Sequence, residues 1–297
     1  MWHHVNTPLS EMDALLVINI VFNVPLMFVA VIGNTLVLSA IFRTPSIHSS
    51  SSIFLSSLAV SDLLVGLAVQ PVYIAHELKP DPGLRKTANI LFSMGCVVSL
   101  CTMTAISIDR FMALHYHMRY PNLMTNKCAI RTTVTLWLFV IASSFLMLWR
   151  TLPIVLAVGI FACLLISAFF YTRIYFIVRH HQSAIHLQQQ AVQSMNTAES
   201  INIARSKRSA LSTFIYFICL VLCYSPMFTS MIIYTIDPTL SSNLWTVANT
   251  VVFLNSSINP FLYCWRLKEL RKAVLKTGQK LLCKQTEERQ ENELKAY

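Results

Sequence analysis

Long stretches without a single charged residue leave this chain few ways to fold. They cover residues 14–42, 87–108, 132–149, 151–172, 209–236 and 238–265, and a further stretch, 44–76, is interrupted only by Asp62. Each reaches the roughly 18 apolar residues that mark a membrane-spanning helix. The stretch 87–108 holds 22 residues, which at about 1.5 Å per residue spans about 33 Å as a helix, the thickness of a bilayer core. None shows the apolar-out, polar-in alternation of a transmembrane barrel strand. Charged residues make up 12% of the chain and mean hydropathy is +0.57, whereas soluble domains carry about 25% charge. The expected fold is therefore an all-α membrane protein, a seven-transmembrane helix bundle.

The basic residues orient it. With the N-terminus outside, the outer segments hold Lys79, Arg85, Lys86 and Arg150, and the other nineteen Lys and Arg fall on the inner side. That asymmetry follows the positive-inside rule. The net charge of +10 thus reports topology and requires no nucleic acid partner. The first apolar run is too long for a cleavable signal peptide and reads as an anchor and first helix. The chain divides into an outer tail at 1–13, a membrane domain at 14–265, a membrane-surface amphipathic helix at 266–283 and an inner tail at 284–297. The eight cysteines include none in an outer loop, so no outer disulfide is expected. Cys219 and Cys223, one turn apart, read as small apolar packing residues rather than metal ligands. His180, His181 and His186, in the polar stretch 179–200, read as a solvated face.

Three features carry chemistry. Asp62 is the only acid deep in a span. A carboxylate there costs about 2.5–3.5 kcal/mol even on a mild insertion scale, and so calls for a cation, a proton or a polar pocket. At the inner end of the third span an acid and a base, Asp109 and Arg110, stand side by side: either interfacial charges reaching for water, or a restrained switch. Pro226 in Cys223-Tyr224-Ser225-Pro226 and Pro260 in Asn259-Pro260-Phe261-Leu262-Tyr263 each remove a backbone hydrogen bond and permit a bend in the sixth and seventh spans. Pro71 is expected to kink the second span near its outer end. Beyond the seventh, Leu267, Leu270, Val274 and Leu275 fall on one helical face with basic residues elsewhere, an arrangement suited to the inner leaflet. Cys283 just after it is a candidate palmitoylation site.

Gly33-Asn34, Leu58-Ala59-Val60-Ser61-Asp62, Asp109-Arg110-Phe111, Trp137, Tyr171 and Asn259-Pro260-Phe261-Leu262-Tyr263 follow one another, helix by helix, in an order that resembles the rhodopsin-like (class A) G-protein-coupled receptors. The resemblance covers nearly the whole chain. It implies a plasma-membrane receptor with an extracellular N-terminus and cytoplasmic C-terminus. Such a receptor performs no covalent chemistry; it binds an extracellular ligand and promotes nucleotide exchange on a heterotrimeric G protein, with arrestin and a receptor kinase as further partners. By the same resemblance Arg110 leaves Asp109 on activation and extends toward Tyr171 and Tyr263, while the sixth helix swings about Pro226. No covalent cofactor is implied, but an allosteric sodium ion is, held at Asp62 and Ser99 with Asn255, Ser256 and Asn259, and supported by Asn34. Hard oxygen ligands suit such a cation.

The chain departs from that pattern in several places. Arg85 replaces the third-helix disulfide cysteine, the link between the fourth and fifth helices is only a few residues, and Cys163 replaces the fifth-helix proline. Together these are similar to melanocortin receptors and to some lipid or orphan receptors. Leu220 and Tyr224 replace the usual Phe and Trp. Ser206 stands where many members place an acid that latches Arg110, so a closed state resting on Asp109-Arg110 alone, with elevated basal signalling, is expected. Phe92 replaces the amine-binding Asp, and Phe253 the retinal-binding Lys. The expected ligand pocket is Gln70, Tyr73, Phe92, Cys96, Met227, Phe228, Met231, Asn249 and Phe253. It suits a neutral or lipid-like ligand, or a small peptide gripping Glu77 and Asp81 at the rim. An ion-coupled transporter or channel built on Asp62 is the alternative, against which the spans show no inverted repeat or paired half-helices.

Overall fold

The structure is a computed structural model that describes residues 9–45, 49–116, 119–145, 152–191, 197–236, 241–266 and 268–279. All regular structure in these residues is helical. The first helix is Leu9–Arg43 and the second is continuous from Ser50 to Leu78. The third is Pro82–Tyr116, the fourth Asn126–Phe145, the fifth Leu152–Ala191, the sixth Thr197–Ile236 and the seventh Ser241–Arg266. A one-turn helix, Tyr120–Leu123, lies in the link between the third and fourth, and residues 268–279 form a last helix beyond the seventh.

The bundle is apolar outside and polar within. Phe139 is 70% exposed, Leu222 63% and Phe22 61%, while Asn23, Asn34, Ser61, Asp62, Gln70 and Asn259 are fully buried. A water-soluble protein does not sustain so much exposed apolar surface. In lipid the arrangement is the stable one, because apolar side chains face the tails and polar groups hydrogen-bond between helices, as Asn259 does to Asp62 and Asn34 to Ser256. Six described helices are long and apolar enough to cross a bilayer. The seventh, Ser241–Arg266, is long enough at 26 residues, but Asn249, Asn255, Ser256, Ser257 and Asn259, all buried, dilute its apolar character.

Small residues set the spacing of helices. A Cβ on Gly33 would stand 2.8 Å from Pro260 Cγ, and one on Gly95 would meet Val65 Cγ2 at 2.9 Å. The first and seventh helices, and the second and third, thus approach as only glycine permits. Beside Gly33, Asn34 donates its amide to Ala30 O at 2.9 Å and across to Ser256 O at 3.1 Å. Trp137 Nε1 donates to Ser57 Oγ at 3.0 Å, tying the fourth helix to the second.

Several boundaries differ from the sequence expectation. The first helix starts at Leu9 rather than near residue 14. The outer loop expected over 77–85 shrinks to residues 79–81, because Asp81 caps the third helix. Its Oδ2 accepts from Leu84 N at 2.9 Å, and Pro82 at the first helical position needs no partner for a missing N–H. Arg85 and Lys86 accordingly lie within the helix. The second helix does not simply kink at Pro71: a π-helical stretch, Val65–Val69, precedes it. Proline cannot donate to the carbonyl four residues back and its ring crowds it, and a wider turn just upstream relieves both. In the last helix Leu270 is fully buried and Ala273 and Thr277 nearly so, whereas Leu275 is 61% exposed. The buried face therefore runs through 270, 273 and 277, and Leu275 projects elsewhere. Cys283, Leu267, the side chain of Ser206, and the link at 146–151 lie outside the described residues.

Candidate functional site

The third helix carries the polar centre of the molecule on three successive levels. At mid-depth Ser99, one side chain below Cys96, faces the second helix. Its hydroxyl donates to Asp62 Oδ1 at 3.3 Å, and Asn259 Nδ2 from the seventh helix donates to Oδ2 at 2.8 Å. Ser256 also hydrogen-bonds this carboxylate. All four side chains are buried. Asn255, expected in the same pocket, instead sends its amide to Met103 Sδ at 4.0 Å. The residue just before Ser256 lies about 100° around the helix, which turns its amide to the third helix one turn further in. The oxygens of Asn34, Asn255 and Asn259 are buried without partners. The Asp62 carboxylate with the Ser99 and Ser256 hydroxyls against it offers hard oxygen ligands matched to a small cation. The described residues hold no cluster of His, Cys, Asp and Glu suited to a transition metal.

At the inner end Asp109 is 0% exposed. Arg110 Nη2 reaches its Oδ2 at 2.9 Å. Two further groups hold the same carboxylate, which sequence alone did not reveal: Ser51 Oγ donates to Oδ2 at 2.8 Å and Tyr120 Oη to Oδ1 at 2.6 Å. Ser50 Oγ meets the Tyr120 hydroxyl at 3.2 Å. The second helix can offer these serines because its first turn is closed by a reciprocal cap, Ser49 Oγ to Ser52 N and Ser52 Oγ to Ser49 N. Burial, then the Asp109 carboxylate, hold the Tyr120 phenol above its ordinary range, so it stays protonated and donates. A closed state resting on the Asp109-Arg110 pair alone is thus corrected: two hydroxyls also hold Asp109, and Arg110 is one of three donors to it.

Arg110 opens onto a cavity of about 250 Å³ lined also by Ser49, Met103, Tyr171, Tyr216, Tyr263 and Glu269. Tyr171 and Tyr263, predicted partners of Arg110, therefore stand at its walls. Tyr171 packs on Phe217 with ring centroids 5.3 Å apart, and Tyr216 stacks on Tyr263 at 5.9 Å. Pro226 and Pro260 sit inside the sixth and seventh helices. One turn outward from the cavity, Tyr224 Oη donates to Cys96 O at 2.9 Å, joining the sixth helix to the third across the core.

Several residues of the expected ligand pocket pack together in the outer half. Tyr73 and Phe92 both pack edge-on against Phe253, at 5.3 and 5.9 Å. Cys96, Met227 and Met231 belong to the same buried cluster. Phe228 departs from the group: it stacks on Phe161 of the fifth helix at 5.3 Å. Gln70 and Asn249 are buried beside Asn19 and Asn23 of the first helix, two residues that sequence reading passed over. Two asparagines one turn apart in an otherwise apolar stretch were the available signal.

These features define a polytopic helical bundle in which one helix links an outer apolar cluster, a mid-depth carboxylate and an inner Arg-lined cavity. Residues 33–154 match the family described as 7 transmembrane receptor (rhodopsin family). The chain is similar to melanocortin receptor 5 of Mus musculus, at 26% identity over 264 residues, covering 82% of this chain and 79% of that one. It is similar also to melanocortin receptor 3 of Homo sapiens, at 27% over 288 residues, covering 86% and 82%. Melanocortin receptor 4 of Danio rerio is 27% identical over 266 residues, covering 82% and 78%. With six described helices long and apolar enough to cross a bilayer, the chain is accordingly a multi-pass membrane protein.

Proposed function

We propose that the chain is a G-protein-coupled receptor of the plasma membrane with its N-terminus outside, and that an extracellular ligand entering the outer half frees Asp109 from its cage of three donors and opens the Arg110 cavity to a heterotrimeric G protein. The observation that carries the reading is the convergence of Ser51, Tyr120 and Arg110 on one buried carboxylate at the mouth of a cavity walled by Tyr171 and Tyr263. Ligand and G protein then favour the same open state, so each raises affinity for the other. The apolar cluster around Phe92 and Phe253 suits a neutral or lipid-like ligand, or a small peptide gripping Glu77 and Asp81 at the rim. A sodium ion at Asp62, Ser99, Ser256 and Asn259 would favour the closed packing. Arrestin and a receptor kinase would share the inner surface. Elevated basal exchange follows from the hydroxyl at Ser206, though the cage on Asp109 limits its size.

The test is guanine-nucleotide exchange on a panel of purified heterotrimers, with receptor in nanodiscs. Arg110→Ala should abolish exchange while leaving the thermal midpoint within a few degrees. Exchange that persists in Arg110→Ala, or a cation flux abolished by Asp62→Asn, would instead favour the transport reading.

A further inference from the structure

The seam between the third and fifth helices holds a different kind of chemistry, a pair of thiols. Cys101 Sγ and Cys163 Sγ stand 3.9 Å apart, in hydrogen-bond contact. Both are free cysteines and both are half-buried. In a membrane span the exposed side faces lipid, as it does for Leu165 and Ile166 beside Cys163. One turn further in, the same two helices meet again, Ser167 Oγ donating to Thr104 Oγ1 at 3.1 Å. Small residues at successive turns of both helices let the backbones approach closely, so the thiols stand in a tight seam and not at a splayed crossing.

The hydrogens in this seam can be counted. Thr104 has one, which it gives to Leu100 O at 3.0 Å; it also hydrogen-bonds Cys163. Toward Ser167 and Cys163 it can therefore only accept, one bond on each of its two lone pairs. The Cys163 S–H is thus engaged by Thr104, and the contact between the sulfurs is a Cys101 S–H given to Cys163 Sγ. Negative charge developing on the Cys163 sulfur consequently meets a donor. A disulfide has S–S of about 2.05 Å, so the sulfurs must close by about 1.9 Å, a movement of the size that rotation about χ1 provides.

We propose that Cys101 and Cys163 are a redox modification site, oxidised by a hydroperoxide to a disulfide that ties the third helix to the fifth. Cys163 Sγ attacks the terminal peroxide oxygen; the O–O bond breaks, an alcohol (water, from hydrogen peroxide) leaves with the thiol proton, and Cys163 becomes a sulfenic acid. Cys101 Sγ then attacks that sulfur. The S–S bond forms, the S–O bond breaks, and the hydroxyl departs with the Cys101 proton as water. The two thiols lose two electrons in all, and the peroxide gains them. Cys101 lies nine residues before Arg110 and Cys163 eight before Tyr171, and both of those residues line the inner cavity. A covalent tie some two turns outward fixes these walls at their present spacing, with Arg110 still on Asp109. Oxidation therefore holds the receptor closed, a consequence that rests on the reading of the cavity as the G-protein site.

The test reads the cross-link itself, so it can fail independently of the receptor reading. Full-length receptor in nanodiscs is exposed to cumene hydroperoxide, which partitions into lipid, or to hydrogen peroxide. Remaining thiols are alkylated, and the chain is digested with pepsin at acid pH, where disulfides do not exchange. The expected product is a disulfide-linked peptide pair joining Cys101 to Cys163 by mass spectrometry. It should be released by dithiothreitol, absent in Cys101→Ser and Cys163→Ser, and retained in Cys96→Ser, which removes the neighbouring thiol of the third helix. Faster cross-linking with cumene hydroperoxide would assign the oxidant to the lipid phase, and faster cross-linking with hydrogen peroxide to the aqueous one. Oxidised wild type should unfold at a higher midpoint, a shift missing from Cys101→Ser. Its ligand-free exchange should fall in step with the fraction cross-linked and recover with dithiothreitol. No linked pair, a linked pair that survives Cys101→Ser, or oxidation confined to separate sulfinic acids would overturn the proposal. A linked pair that leaves exchange unchanged would overturn its consequence for signalling, while Arg110→Ala would still decide the receptor reading.

Discussion

Replacing Tyr120 by phenylalanine removes one hydroxyl from the cage on Asp109 and leaves the ring in place. The bond lost is short, 2.6 Å, and made to a buried carboxylate. Hydrogen bonds to charged groups contribute about 1.5–3 kcal/mol. Tyr120 is only half-buried, so the lower figure is the appropriate one after solvent competition. About 1.5 kcal/mol is slightly more than tenfold in an equilibrium constant. If the cage belongs to the closed state alone, ligand-free nucleotide exchange should rise up to about tenfold in Tyr120→Phe. Ser51→Ala, which removes a neutral hydroxyl donor to the same oxygen as Arg110, should raise it by a smaller factor. The two effects should not add fully, because both act through one carboxylate. The decisive control is Asp109→Asn: in that background Tyr120→Phe should change exchange by less than about twofold. Exchange unchanged by Tyr120→Phe alone, or raised equally in the Asp109→Asn background, would refute the reasoning and return Tyr120 to a contact surface for the G protein.

Other expectations concern separate levels of the bundle. Asp62→Asn should abolish any dependence of the thermal midpoint on sodium concentration, measured against N-methylglucamine at equal ionic strength; a sodium response of wild-type size would exclude this carboxylate as the ion site. Gly33→Val places a branched Cβ where Pro260 Cγ already stands at 2.8 Å, and should destabilise by about 1–3 kcal/mol, seen as a lower midpoint in detergent. Tyr224→Phe breaks the bond to Cys96 O and forfeits about 0.5–1.5 kcal/mol, so ligand-free exchange should increase by roughly two- to tenfold if that bond belongs to the closed state; a decrease would assign it to the open one.

The number and order of helices were legible because lipid imposes a length and forbids charge, and both constraints are visible residue by residue. Asp62 was legible for the same reason: a carboxylate so deep must be accommodated. What escaped reading depends on contacts between distant parts of the chain. Tyr120 lies in a loop, and nothing in Arg119-Tyr120-Pro121 signals that its hydroxyl turns back to Asp109. Asn255 sits among polar neighbours that point to Asp62, and its own direction is set by helical rotation rather than by residue type. Asn19 and Asn23 were hidden inside a span whose composition is otherwise apolar. The π-helical stretch before Pro71 leaves no mark in the sequence beyond the proline itself, since the ring's conflict with an upstream carbonyl can be relieved by a kink or by a wider turn.

The seam between the first and seventh helices limits which parts of this receptor are able to move. Gly33 lies so close to Pro260 that only the proline ring separates the two backbones, and Asn34 pins the adjacent carbonyl of Ser256. A bend at Pro260 therefore cannot be confined to its own helix; it must carry the neighbouring turn of the first along. The pair acts as a door frame, stiff and shared, while the sixth helix, crossed to the core by the Tyr224 hydroxyl, is the leaf. On that view the loss of a methyl-sized gap at residue 33 would jam the frame without touching ligand, ion or G protein.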